Sequence, residues 1–398
     1  MDGRAQYAEV HAGLMTDEQA ESLASMTEDM SVIEHNKRPL LLGKQALLKV
    51  NTNIGVSDEA AFETEYQKLR TLAELPYRPD SMMDHTYVHL QKPLWKYMVE
   101  LFDGPVGTLP HYYVYDRDKG VDAVRLLETI DEMGASGVRF MTLHFTATRE
   151  LLETARTCRS IPTTARGGAL ILRDLEINKR AVNVFVDSFE EILKLFKKHR
   201  MTLSVGATFR PARIDEALDE AQLAEIREQK KYIDRAKAAG VRVIMEGIGH
   251  VSLRDIPRYC ELIAGHHTPL MPLGPLVTDA SIGFDHVASA VGAAAAALNG
   301  NVCTINSVTR EEHTGGVPTC ESIVEGLKAA RVVAHSINLL RFDKYWETDR
   351  AIADQRAAHG TCAIKGGIFG ENVSQANGDG CDRCRYECPL HILRQSRC

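Results

Sequence analysis

The feature that most constrains this chain is an alternation. From about Leu47 onward, short β-rich runs take turns with amphipathic helical stretches, the pattern of βα units around a parallel sheet. The runs read as strands over Leu47–Asn53, Ser81–Thr86, Val106–Tyr112, Val138–His144, Ile161–Ala165, Thr202–Ala207, Val241–Gly247, Thr268–Gly274 and Asn301–Asn306. Helices are expected between them. Asp187–His199 opens on Asp and Ser and ends on basic residues, and Asp215–Ala238 is rich in Glu, Ala, Lys and Gln. An α/β fold with eight such units fits a (β/α)8 barrel of about 250 residues, so one of the nine candidate strands is a loop or a helix lead-in. The small-residue run Asp285–Leu298 reads as a closely packed barrel helix. The chain divides into an N-terminal arm of short helices over 1–45, the barrel over 46–340 and a C-terminal segment over 341–398. That last segment starts as a charged helical piece, passes through a Gly- and Asn-rich tether and ends in GCDRCRYECPLHILRQSRC.

Charge and hydropathy exclude several classes of function. Lys and Arg number 47 against 54 Asp and Glu, a formal net charge of -7, which offers no bulk attraction for nucleic acid or anionic lipid. No apolar run approaches the roughly 18 residues of a membrane span, and the first residues lack the apolar stretch of a secretory signal. A cytoplasmic protein without membrane or nucleic-acid partners is expected.

An odd count of nine cysteines in such a chain argues against a disulfide framework. Four of them, Cys381, Cys384, Cys388 and Cys398, crowd the C-terminus. Cys381-x2-Cys384-x3-Cys388 puts three soft thiolate ligands within one short turn. The spacing alone leaves two readings open. One is a structural zinc completed by His391, Cys398 or Cys362. The other is a [4Fe-4S] cluster whose fourth iron stays open to an external ligand such as S-adenosylmethionine.

In a (β/α)8 barrel the site lies at the C-terminal ends of the strands. Polar residues end nearly every candidate strand: Asn51 and Asn53, Asp84 and His85, His111 and Tyr112, then His144, Arg166, Arg210, Glu246 and His250. Gly247 and Gly249 let the backbone turn between Glu246 and His250, and His313 follows the last strand in a similar setting. Two histidines and an acid suit one divalent metal with open positions, although hydrogen-bonded core histidines would carry the same sequence.

Several segments together resemble the phosphomethylpyrimidine synthase family of radical S-adenosylmethionine enzymes, from about Val32 to the C-terminal cysteines. They include LLKVNTNIG, SMMDHT, VGTLPHY, FMTLH, ARGG, RPARIDEALDEAQLAEI, VIMEGIGHV, PLGPLVTD, GFDHVASAVGAAAAAL and VTREEH. The resemblance implies a barrel with a cluster-bearing C-terminal domain, acting as a homodimer in which one subunit's tail reaches the other's barrel. It implies a [4Fe-4S] cluster reduced by an external electron donor, S-adenosylmethionine, and a divalent metal, usually zinc. The implied substrate is aminoimidazole ribotide or a close relative. The product is the thiamine pyrimidine phosphate or, in an anaerobic branch, 5-hydroxybenzimidazole. Carried over by motif, Asn53, Met83, Tyr112, His144, Arg166, Gly167 and Arg210 are implied substrate contacts, and Glu246 is an implied substrate or acid–base residue. His250 and His313 match the metal ligands, and Cys381, Cys384 and Cys388 the cluster cysteines.

The chain also departs from the family pattern. SRG becomes Ala165–Arg166–Gly167, DGLR becomes Ala207–Thr208–Phe209–Arg210, a Tyr before LGPL is Met271, and the cluster spacing is x3 where the family has x4. Retained cysteines and histidines beside an altered pocket fit radical chemistry on an altered substrate or toward an altered product. A non-catalytic, zinc-binding paralogue is the reading from another class.

Overall fold

The computed structural model describes residues 16–362, 367–369, 383–384, 387–390 and 392. Eight parallel strands form the centre: β1 (Lys49–Ile54), β2 (Ser81–Asp84), β3 (Val106–Thr108), β4 (Val138–Leu143), β5 (Thr202–Val205), β6 (Val243–His250), β7 (Leu270–Leu276) and β8 (Thr304–Asn306). They pair in the order β7-β6-β5-β4-β3-β2-β1-β8. The ring closes where β7 meets the lead-in to β8. There the Leu270 amide donates to Asn301 O at 2.8 Å and the Cys303 amide to Leu270 O at 2.9 Å. The sheet is a (β/α)8 barrel, as the alternation predicts.

Adjacent strand residues go to opposite faces, and both faces are buried. Met82, Met141, Met245 and Leu270 join the main core between strands and helices. Their neighbours Met83, Phe140, Ile244 and Met271 fill the barrel interior.

The ninth expected strand is a correction. Ile161–Ala165 is a loop leading into helix α1 (Arg166–Ile177), since Pro162 interrupts any ladder there. The expected strand Val106–Tyr112 stops at Thr108, because Pro110 opens a short helix over Pro110–Val114. Asp187–His199 is two helices meeting at Ser188. The long helix α2 (Glu220–Ala238) starts later than its composition suggests, with Asp219 accepting from Gln222 N as its cap. Helix α3 (Asp285–Asn299) carries the small-residue run. A Cβ on Gly292 would lie 2.1 Å from Pro275 O, so the small residues let α3 press onto β7.

The N-terminal region is more than helices. After the helix Asp17–Ala24, Ser31–Ile33 and Leu40–Leu42 pair as an antiparallel hairpin. Its Ile33, Leu40 and Leu42 pack against Met83, Phe140, Ile244 and Met271, closing the barrel at the N-terminal ends of the strands. The opposite mouth is left to the polar side chains. After β8, helix α4 (Cys320–Arg341) packs its apolar side into the barrel's main core, and helix α5 (Trp346–His359) follows it. No helix among the described residues is long and apolar enough to cross a membrane.

Candidate active site

The C-terminal mouth of the barrel encloses a cavity of about 600 Å³. The strand ends bring Asn53, Met83, His144, Glu246 and His250 to its wall, and the short helix Pro110–Val114 brings Tyr112. Loops add Arg166 and Gly167 at the start of α1, Arg210 after β5 and His313 after β8. The ten barrel positions carried over by motif therefore face one space, and His85 lines it with them. Asn51, Asp84 and His111, also marked as strand ends, sit behind the wall. Asn51 donates to Asn53 Oδ1 and to Asn306 Oδ1, both at 2.7 Å, and so orients Asn53. Asp84 accepts from the Thr86 amide at 2.8 Å and from the Tyr113 hydroxyl. His111 is ringed by Tyr112, His144 and Phe185.

Burial sets the charge state of this wall. It drops the His85 imidazole to about 4 and that of His111 to about 3, and it holds His144 well below the usual histidine range. These rings are neutral near pH 7. Burial likewise pushes the Tyr112 phenol up to about 12. The Glu246 carboxyl is raised by burial too, with Arg210 opposing. Glu246 Oε1 accepts from Thr142 Oγ1 at 2.9 Å, while Arg210 Nη1 stands 3.4 Å from Oε2. A buried, fixed carboxyl that is easier to protonate than usual is the form of group that can give and take a proton.

The backbone between Glu246 and His250 is strained. Ile248, a β-branched residue with no exposed surface, has φ 74, and Gly249 follows with φ 103. Such a conformation costs about 1–3 kcal/mol and persists only where its surroundings enforce it. Here Tyr259 OH accepts from the Ile248 amide at 3.2 Å, and Gln222 Nε2 donates to Ile248 O at 3.3 Å. The turn delivers both Glu246 and His250 to the cavity from one strand. The glycines flanking Ile248 were the visible signal, but Ile248 itself carries the unusual angle.

His250 and His313 meet with ring centroids 5.0 Å apart. His250 Nδ1 lies 2.7 Å from Asp279 Oδ1, and His313 Nδ1 lies 3.0 Å from Asp285 Oδ1. An imidazole whose Nδ1 is held by a carboxylate keeps Nε2 for a metal, the usual arrangement of metal-binding histidines. The pair therefore fits a divalent ion with most coordination positions left to other ligands. No group of three or more His, Cys, Asp or Glu side chains poised for a metal occurs among the described residues. Asp279 and Asp285 were not found in the sequence, because nothing in their spacing ties them to histidines 29 and 28 positions away.

A buried polar stripe on α2 supports the same rim. Gln229 Nε2 donates to Glu246 O at 3.0 Å, and Glu225 accepts from the amides of Thr208 and Phe209 at 2.6 and 2.8 Å. Gln222, Glu225 and Gln229 recur at helical spacing, a stripe the sequence displays but composition alone does not interpret.

Of the tail cysteines, Cys384 is exposed and Cys388 is buried, and both are free thiols. Cys381 lies outside the described residues, so the three sulfurs are not placed together here.

The family model described as the radical SAM ThiC family matches residues 5–395 of this chain. Phosphomethylpyrimidine synthase of Pyrococcus abyssi is 33% identical over 334 residues, 80% of this chain and 77% of that protein. The protein of the same name from Carboxydothermus hydrogenoformans is 32% identical over 340 residues, 82% and 78% of the two chains. That from Thermotoga petrophila is 30% identical over 394 residues, 93% and 92% of the two chains. With a family match spanning nearly its whole length and a barrel mouth built from the motifs that carry it, this chain belongs to the radical SAM ThiC family.

Proposed function

We propose that this protein is a radical S-adenosylmethionine lyase that rearranges aminoimidazole ribotide, or a close relative, to the thiamine pyrimidine phosphate. The observation that carries the reading is the convergence of Asn53, Tyr112, His144, Arg210 and Glu246 on one cavity within a family member. In this reading Arg166 and the first amides of α1, which no side chain caps, receive the ribotide phosphate. Tyr112, His144 and Asn53 supply neutral hydrogen-bonding partners for the ring and ribose, and Met83 forms an apolar wall. Glu246 is the acid–base group, held by Thr142 and faced by Arg210.

Cys381, Cys384 and Cys388 would hold a [4Fe-4S] cluster in a C-terminal domain over 341–398, leaving the barrel over 46–340 and the N-terminal arm over 1–45. Three thiolates match a cluster with one iron open to S-adenosylmethionine. Bound there and reduced by an external donor, such a cluster would supply the electron that cleaves S-adenosylmethionine to methionine and a 5'-deoxyadenosyl radical. His250 and His313 would hold the divalent ion, zinc by family resemblance, at the rim. A homodimer that carries one subunit's tail to the partner barrel, in the cytoplasm, completes the reading.

A second product, 5-hydroxybenzimidazole, is favoured by one specific observation. Three polar positions of the family pattern are apolar and buried here, Ala165, Ala207 and Met271, and of these Ala165 lines the cavity. Fewer polar anchors suit a product that retains less of the ribotide's oxygen. Mass spectrometry of the reaction with aminoimidazole ribotide separates the two. A pyrimidine phosphate supports the first reading and a hydroxybenzimidazole the second. Ribotide left unconsumed by a cluster-loaded enzyme removes both.

A further inference from the structure

The segment after β2 brings two further side chains to the cavity. Backbone pairing with the β1 side continues past the end of the strand: the His85 amide donates to Ile54 O at 2.8 Å, and the Tyr87 amide to Val56 O at 3.3 Å. Donors two residues apart are the pattern of a strand, whose neighbouring side chains point opposite ways. Thr86, between them, is turned inward and has no exposed surface. Its hydroxyl accepts from the Val56 amide at 2.9 Å, and its own amide donates to Asp84 Oδ1 at 2.8 Å. The two loops touch at Gly55, where a Cβ would lie 2.4 Å from the His85 carbonyl carbon. With its backbone held this way, the segment sets His85 in the cavity lining and Tyr87 against Arg166.

The Arg166 guanidinium lies over the Tyr87 ring, 4.6 Å from its centroid. Arg166 makes no hydrogen bond or ion pair among the described residues. An aromatic face attracts a cation without neutralising its charge or occupying its N–H groups. Arg210 is differently placed, since it donates to Ala207 O at 2.9 Å and stands 3.4 Å from Glu246 Oε2. Of the two arginines, Arg166 therefore keeps its donors for a ligand. His85 stands edge-on to Tyr112, with ring centroids 6.2 Å apart and planes at 78°. Neither of its ring nitrogens has a hydrogen-bond partner among the described residues. Burial keeps this imidazole neutral near pH 7, and the charges of Arg166 and then Arg210 act in the same direction. A neutral imidazole offers one donor and one acceptor, which matches a hydroxyl, itself donor and acceptor.

We propose that His85 and Tyr87 form a recognition element for a sugar phosphate: Tyr87 is a positioning residue that holds Arg166 toward the phosphate, and His85 hydrogen-bonds the hydroxyl-bearing part of the ligand beside it. The proposal rests on the reading of Arg166 as the phosphate contact, and it adds two residues to the site that the family motifs do not mark. It does not depend on what the sugar carries at its other end.

The test is equilibrium binding to the full chain, without turnover, of two probes: inorganic phosphate and ribose 5-phosphate. Tyr87→Leu removes the ring under Arg166 and should weaken both probes about 2- to 5-fold, the worth of an exposed cation–π pair. Tyr87→Phe keeps the ring and should bind as wild type does. His85→Phe keeps a ring against Tyr112 and removes both nitrogens. It should weaken ribose 5-phosphate about 2- to 10-fold, the loss expected for one net hydrogen bond, and inorganic phosphate by less. His85→Leu stands in if the Phe variant fails to fold. Wild-type affinity in Tyr87→Leu overturns the proposal, as does a Tyr87→Phe variant as weak as Tyr87→Leu. So does an equal effect of His85→Phe on the two probes, or a wild-type protein that binds neither. Aminoimidazole ribotide is then compared with ribose 5-phosphate. If the variants behave as stated and the ribotide binds no more tightly than ribose 5-phosphate, the recognition element stands and the ribotide reading falls.

Discussion

Removing the carboxylate behind His313 is the sharpest perturbation of the histidine pair. Asp285 has a side chain only 3% exposed and accepts from His313 twice, at Nδ1 and at the backbone amide. Hydrogen bonds to a charged acceptor are worth about 1.5–3 kcal/mol, and a neutral acceptor about 0.5–1.5 kcal/mol. Asp285→Asn keeps a carbonyl but loses the charge, so divalent-metal affinity should fall about tenfold, at a cost near 1.4 kcal/mol. Asp285→Ala leaves both donors unpaired and should cost about 10- to 100-fold, the range for partners behind metal ligands. Asp279 has a side chain 40% exposed, so water can replace it, and solvent-screened pairs are worth under about 1 kcal/mol. Asp279→Asn should therefore cost less than about fivefold. The assay is a cobalt titration followed by visible absorbance, with zinc competed against a chelator. His313→Ala provides the background from cobalt bound by tail thiolates. Wild-type affinity in Asp285→Ala, alongside loss in His313→Ala, would refute the orienting role. Equal binding in all three would show that the histidine pair is not the metal site.

Three further outcomes are expected. Glu246 is raised by burial, so its ionisation opposes folding, and that penalty is absent below the ordinary carboxylate range and grows as pH rises through it. Glu246→Gln should gain stability relative to wild type between pH 4 and pH 8 in denaturant titrations, and a difference that does not change with pH would count against the buried carboxyl. Asp80 shows the opposite sign. Burial alone would raise it, but Arg331 and Arg38, at 2.7 Å each, hold it at about 2. Its stabilisation is present above the ordinary aspartate range and is lost as pH falls toward 2. Asp80→Asn leaves two guanidiniums without their carboxylate and should destabilise by about 3–5 kcal/mol at pH 7, read as a lowered Tm, with the gap to wild type closing in acid. Gly167→Ala would set a Cβ 2.7 Å from His144 Nε2 and 2.9 Å from His111 Nε2, both on packed rings. A cost of about 1–3 kcal/mol and a large loss of ribotide binding are expected, and an unaffected dissociation constant would show that this wall does not shape the ligand space.

The barrel is legible in the sequence because short β-rich runs, from the one at Lys49–Ile54 to the one at Thr304–Asn306, alternate with helical stretches. The misreadings have identifiable causes. Ile161–Ala165 contains the β-branched residues of a strand, but Pro162 forbids the ladder. The N-terminal hairpin has strands of three residues, too short for alternation to show. The rim residues were legible because strand ends are where polar groups have no packing reason to be. Their supports were not: Thr142 lies 104 residues from Glu246, and Glu225 lies 79 from Thr146. Such pairs are made by closing the barrel, and local spacing carries no trace of them. Asn51 and Asp84 illustrate the converse, polar residues on the strands that hold neighbours from behind the wall.

The central claim is that the tail cysteines and the barrel mouth serve one radical reaction. Its most direct measurement is 5'-deoxyadenosine formed by full-length protein, reconstituted anaerobically with iron and sulfide, reduced, and given S-adenosylmethionine with aminoimidazole ribotide. The account predicts iron bound in the protein and ribotide-dependent 5'-deoxyadenosine that disappears in Cys384→Ala. Cluster-loaded protein that forms none, or protein that takes up zinc and no iron, would contradict it.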